Sequence, residues 1–130
     1  MYSSETRQIR VTVEPEFSAD RSEPSDNRYF WVYTIEIENR GERTVQLTHR
    51  HWRIVDGEGR REDVRGPGVI GEQPTLKPGQ SFRYSSGCPL STPSGIMAGS
   101  YRMVDEDGAA FDAEIPAFSL DSPYTKRTVN

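Results

Sequence analysis

The sequence predicts an all-β chain built from two packed antiparallel sheets. Three observations predict it. Apolar residues recur at every second position in several stretches, the period of a half-buried strand. Clusters of Gly, Pro, Asn and Asp separate those stretches at short intervals, as turns do. No segment shows the 3.6-residue period of an amphipathic helix.

The elements follow in order. In "RQIRVTVEPEF" (7–17), Ile9, Val11 and Val13 alternate, which predicts a strand. Pro15 cannot donate to a ladder and predicts an edge position or a bulge. Residues 18–28 are polar and read as a loop. "YFWVYTIEIEN" (29–39) carries the strongest signal, with Tyr29, Trp31, Tyr33, Ile35 and Ile37 on one face. Gly41 marks the turn that follows. In "TVQLTHRHWRIVD" (44–56) the apolar parity flips, from Val45 and Leu47 to Trp52 and Ile54. One extra residue at "THRH", a β-bulge, explains the flip. "DGEGR" is a hairpin turn. Past Pro78-Gly79, Phe82 and Tyr84 alternate; Met97, Tyr101 and Met103 share a face; "DEDG" turns; Phe111, Ala113 and Ile115 share another. About seven strands with turns between them imply a β-sandwich or barrel. The nearest match is an immunoglobulin or fibronectin type III sandwich without its disulfide.

The length of 130 residues fits one domain, with a core over about 7–120 and a loose tail at 121–130. The formal net charge of -4 argues against a nucleic-acid or membrane-surface binder. Cys88 stands alone, no apolar run reaches the roughly 20 residues of a spanning helix, and the first residues lack the apolar centre of a signal peptide. The expectation is a cytoplasmic chain with no membrane insertion.

"GPGVIGEQP" (66–74) matches G-x-G-x-x-G through Gly66, Gly68 and Gly71. In a dinucleotide site a strand leads into such a loop and a helix leaves it. Here Pro74 and Pro78 forbid that helix. Two readings stay open. The glycines are a tight turn, or the loop is a nest of backbone amides for a phosphate, pyrophosphate or metal-nucleotide. In the second, Arg65 and the amides around Gly66, Gly68 and Gly71 hold the anion, and Glu72 holds a divalent cation such as magnesium or cobalt. No other cofactor is expected.

His49 and His51 form H-x-H, half of a metal site that Glu72, Asp56 or Asp63 would complete. The bulge expected beside them re-aims the pair. Otherwise they are surface histidines. "DEDG" (105–108) lacks the calcium-loop pattern. Nothing ties a histidine to Cys88 as a nucleophile pair. Most of the aromatic residues belong to the core; Phe30, on the opposite face of its strand, is a candidate for an exposed binding patch.

From about Ile9 to Leu120 the chain resembles the bacterial ApaG family. The resemblance rests on "HRHWRIVDGEG", "VRGPGVIGEQPTLKPGQSFRYSSGCPLSTPSGIMAGSYRMV" and "FDAEIPAFSL". It implies a fibronectin type III-like sandwich and a genetic link to cobalt and magnesium efflux or resistance. Similar domains occur in some F-box proteins and in a DNA polymerase delta-interacting protein, where they look like interaction modules. The resemblance brings no catalytic residues, and it connects the glycine loop with pyrophosphate or nucleotide. Residues and resemblance together lead to a non-enzymatic binding module with a protein partner, within magnesium and cobalt homeostasis. The alternative is a small-ligand binder at the glycine loop. An exposed edge strand offers a route to a homodimer.

Overall fold

A computed structural model of the chain describes residues 1–125. Nine strands form: β1 (Tyr2–Thr6), β2 (Ile9–Phe17), β3 (Tyr29–Asn39), β4 (Val45–Asp56), β5 (Arg61–Pro67), β6 (Thr75–Leu76), β7 (Ser81–Leu90), β8 (Gly95–Asp105) and β9 (Ala110–Leu120). The first sheet runs β1-β2-β3-β7 and the second β5-β4-β8-β9, with β6 also on β4. Every ladder is antiparallel and neither sheet closes on itself, so the fold is a β-sandwich.

The alternating residues face each other across the core. Val11, Val13, Trp31, Ile35 and Ile37 come from the first sheet, and Leu47, Trp52, Met97, Tyr101 and Met103 from the second; all are buried. Trp52 lies edge-on to Tyr33 with ring centroids 5.3 Å apart, which joins the sheets near their middle. Pro15 stands beyond the end of β1, whose last partner on β2 is Val13, so its missing N–H costs no ladder bond on that side.

The expected bulge lies in β4. The β4–β8 register shifts between Leu47 and His49, and the buried side chains change parity there. A second bulge, not anticipated, shifts β9 against β8 between Ile115 and Phe118, around Pro116. The chain also has three strands that alternation did not reveal, β1, β5 and the two-residue β6.

The two long sides of the sandwich differ. On one side β1 is fastened to β9: Ser4 Oγ donates to the Glu114 carbonyl at 2.7 Å, and the Glu114 amide donates to Thr6 Oγ1 at 3.1 Å. On the other side, between β5 and β7, the sheets stand apart around a cleft. Residues 121–125 are held in place: Trp31 Nε1 donates to the Asp121 carbonyl at 2.8 Å, and Ser122 Oγ to the Pro93 carbonyl at 2.7 Å. The rest of the tail expected to be loose, 126–130, lies outside the described residues.

Candidate functional site

The glycine stretch is an excursion in an edge strand. β5 pairs with β4 from Val55 down to His49, and β6 resumes on the same edge at Gln46 and Val45. Residues 68–74 step out between them, opposite the bulge. The bulge's Thr48 carbonyl accepts the Gly68 amide at 2.8 Å and Gln73 Nε2 at 3.0 Å. Val69 and Glu72 then exchange both backbone bonds, at 2.8 and 2.9 Å, closing a two-residue turn through Ile70 and Gly71. Both turn residues have positive φ, 44° and 78°, as a type I′ turn requires.

The sequence motif therefore contains three different glycines. Gly66 stands opposite Arg50 in the ladder, and a Cβ there would meet the Arg50 guanidinium at 3.0–3.1 Å. Gly68 has φ 60°, and a Cβ would lie 2.2 Å from the Glu72 carbonyl oxygen. Gly71 serves the turn and has open space around it. The amides of Gly68, Val69 and Glu72 are all spent on backbone carbonyls.

The excursion forms one end of the cleft. This space, about 380 Å³, lies between the inner faces of β4–β5 and β3–β7. Tyr33, Trp52 and Tyr84 give it an aromatic lining, and Ile54, Val64, Val69 and Leu90 an aliphatic one. Arg50 reaches in from β4, in phase with Trp52 and Ile54. Its Nη1 donates to the carbonyls of Pro67 and Gly68, each at 2.9 Å. Among the described residues no carboxylate comes within 4.0 Å of this guanidinium.

Burial raises the hydroxyls of Tyr33, Tyr84 and Tyr101 above the ordinary tyrosine value, so all three stay protonated and able to donate. The charge of Arg50 acts on each in the opposite direction. Burial also pushes the Cys88 thiol up to about 12, with the Glu62 charge adding to it. A thiol so protonated is a poor nucleophile. The cleft thus combines apolar walls, neutral hydroxyl donors, one cation at Arg50 and one carboxylate at Glu62.

Both histidines lie on the outer face of the second sheet, away from the cleft and from Cys88. The bulge precedes both of them, so it leaves the pair on one face, against expectation. His51 Nε2 is 2.8 Å from Asp63 Oδ2, and His49 Nδ1 is 3.1 Å from Thr48 Oγ1. Arg61 donates twice to Asp63 and, with His51, holds its carboxyl well below the usual carboxylate range. Arg65 and Gly66 border the same outer basin as the histidines, together with Arg50, Ser100, Arg102 and Asp112. Gly68, Gly71 and Glu72 do not border it, and Asp56 is occupied at the far end of β4 with Arg60. Among the described residues no three of His, Cys, Asp and Glu converge as a metal-binding group. Arg50 was missed from the sequence although a signal existed. After the parity flip, position 50 falls on the apolar face.

A family model for the ApaG domain matches residues 19–105. The chain belongs to the ApaG family. It is 62% identical to Protein ApaG of Methylocella silvestris and 58% identical to that of Beijerinckia indica, over the whole of each chain. Its structure is similar to that of the ApaA protein of Bordetella pertussis, with a TM-score of 0.86 at 44% identity, covering 95% of this chain and 98% of that one. A protein of Archaeoglobus fulgidus shares the fold at a TM-score of 0.52 and 14% identity, covering 97% of this chain and all of that one. The ApaG relatives span the same length as this chain, so the cleft, the glycine excursion and the outer basin all fall within the shared domain. Among the described residues no helix is long and apolar enough to cross a membrane.

Proposed function

We propose that this ApaG chain is a non-enzymatic binding module that takes an apolar part of a protein partner into the cleft between β5 and β7. The observation that carries the reading is the cleft itself, a concave, aromatic-lined space with few polar groups, which is the form ligand sites take. Ile70 supports it from the rim. This side chain is 58% exposed and holds a backbone conformation that β-branched residues disfavour, so the fold gains little from an isoleucine there. The catalytic alternative lacks its parts: the cleft thiol is protonated, and the histidines lie on another face. In magnesium and cobalt homeostasis the module acts through its partner rather than as an ion carrier.

The test is selection of binders from a displayed random-peptide library. The expected outcome is enrichment of a short apolar motif whose binding is lost in Val64→Phe, which fills the cleft. Enriched peptides that bind Val64→Phe as well as the parent would refute the reading.

A second reading has its own observation. His49, His51, Arg65 and Arg102 surround a floor that includes Gly66 and Ser100 on the outer face. That basin suits a phosphate-bearing small molecule better than the glycine turn does, because the amides of Gly68, Val69 and Glu72 are occupied and only those of Ile70 and Gly71 are left. Pyrophosphate, alone and with magnesium, tests it by thermal unfolding. A ligand at about 100 times its dissociation constant adds about 2.7 kcal/mol, and a flat response in both series excludes the site.

A further inference from the structure

Arg50 differs from the chain's paired arginines. Arg60, Arg61 and Arg102 each stand within 4.0 Å of a carboxylate on the surface. Arg50 is half-buried, lines the cleft and has no such partner among the described residues. A partly desolvated cation without a counter-ion is costly to keep. The fold nevertheless anchors it. Two main-chain carbonyls fix one nitrogen of the fork, and the absent side chain of Gly66 makes room for the group. The rest of the fork has no hydrogen-bond partner among the described residues, and Tyr33 lines the same cleft. Such an anchored, unpaired guanidinium is set up to receive a planar carboxylate.

We infer that the cleft binds the C-terminal end of a partner polypeptide, with the terminal carboxylate on Arg50 and the last, apolar side chain against Tyr33, Trp52 and Val64. This rests on the cleft being the module's ligand surface. The chemistry selects the terminus. Apolar walls begin beside the guanidinium, so the ligand needs its anion and its apolar body on neighbouring atoms. An Asp or Glu side chain brings the anion without that body. A phosphate brings more charge and no apolar part. A terminal Phe, Leu or Val carries both on one Cα. Among the described residues β7 has a strand neighbour on one side only, so its free edge offers backbone groups to the residues preceding the terminus.

The experiment is calorimetric titration of the full chain with short peptides ending in Phe, Leu or Val. Each is made as the free acid and as the amide, and 3-phenylpropionate is added as a small-acid control. At least one acid peptide should bind, and its amide should bind about tenfold or more weakly, the size of one charge-assisted hydrogen bond. Arg50→Met should lower the acid to the level of the amide, and Arg50→Lys should restore part of the gap. The acid-amide comparison is made on the parent chain, so it stands even if Arg50→Met folds poorly. Equal binding of acid and amide overturns the carboxylate assignment and leaves the cleft reading intact. 3-Phenylpropionate binding as tightly as the best peptide overturns the polypeptide source. No binding by any peptide, with the library selection also empty, overturns both.

Discussion

Tyr84 on β7 and Tyr101 on β8 meet hydroxyl to hydroxyl across the core, one from each sheet. Tyr101 is fully buried and Tyr84 nearly so, and one hydroxyl donates to the other. Tyr84→Phe strands the Tyr101 hydroxyl and should cost about 1–3 kcal/mol in urea unfolding. Replacing both by Phe removes donor and acceptor together. The double variant should therefore lose less than the sum of the single losses. Strict additivity would show that the two hydroxyls do not depend on each other.

The cleft wall carries a pH signature through Cys88. Its thiol ionises near 9.0 when unfolded and at about 12 in the fold, because burial disfavours the thiolate. A raised value means that the stability from this group is intact below pH 9 and is lost as pH rises from there through 12. Urea midpoints should fall between pH 8.5 and pH 10.5, and fall less in Cys88→Ala. Thiol labelling at pH 8 should be slow in the native chain and rapid in denaturant. Fast native labelling would mean that the cleft is wetter and more open than its lining indicates.

The glycine excursion separates three substitutions by cause. Gly68→Ala meets the Glu72 carbonyl head-on and also strains a positive φ, so a loss of about 2–4 kcal/mol is expected. Gly71→Ala has free space and only the conformational penalty, about 1–2 kcal/mol. Ile70→Asn puts a residue suited to the turn where an isoleucine is held, and should raise stability by about 1 kcal/mol. The same change removes apolar surface from the rim and should weaken peptides selected on the parent chain. A stability gain with unchanged binding would take Ile70 out of the site.

Particular residues show what was legible in the sequence. Strands β2, β3, β4, β7, β8 and β9 could be read because their buried residues repeat at period two. The Thr48 bulge could be read because it reverses that parity between Leu47 and Trp52. β1 and β5 left too little apolar signal. Tyr2 and Val64 are the large apolar side chains each contributes to the packing, and β1 docks through hydroxyls instead. The site was harder. G-x-G-x-x-G looked like one feature, yet Gly66 makes room for a side chain, Gly68 avoids a carbonyl and Gly71 turns the chain. The cleft depends on which side of the sandwich is left open, a long-range property that no local pattern contains. Arg50 alone gave a local hint, a charge in phase with Trp52 and Ile54.

The fastening of β1 makes a prediction about assembly. β9 is the outer strand of the second sheet, and an outer strand with free backbone groups is a template for another chain. Here the hydroxyls of Ser4 and Thr6 occupy the carbonyl and amide of Glu114, and the Tyr2 hydroxyl accepts the Ser119 amide at 3.4 Å. Removing residues 1–6 should uncover that edge, and with it the edge of β2, without opening the core of the second sheet, whose β8 and β4 remain paired. The truncated chain should self-associate in sedimentation experiments, in a concentration-dependent way. The full chain should show less association under the same conditions. Ser4→Ala with Thr6→Val, which removes the two hydroxyls and keeps β1, should lie between them. If the double variant matches the full chain and the truncation alone associates, the presence of β1 on β2 and over β9, rather than its hydroxyl hydrogen bonds, guards the edges.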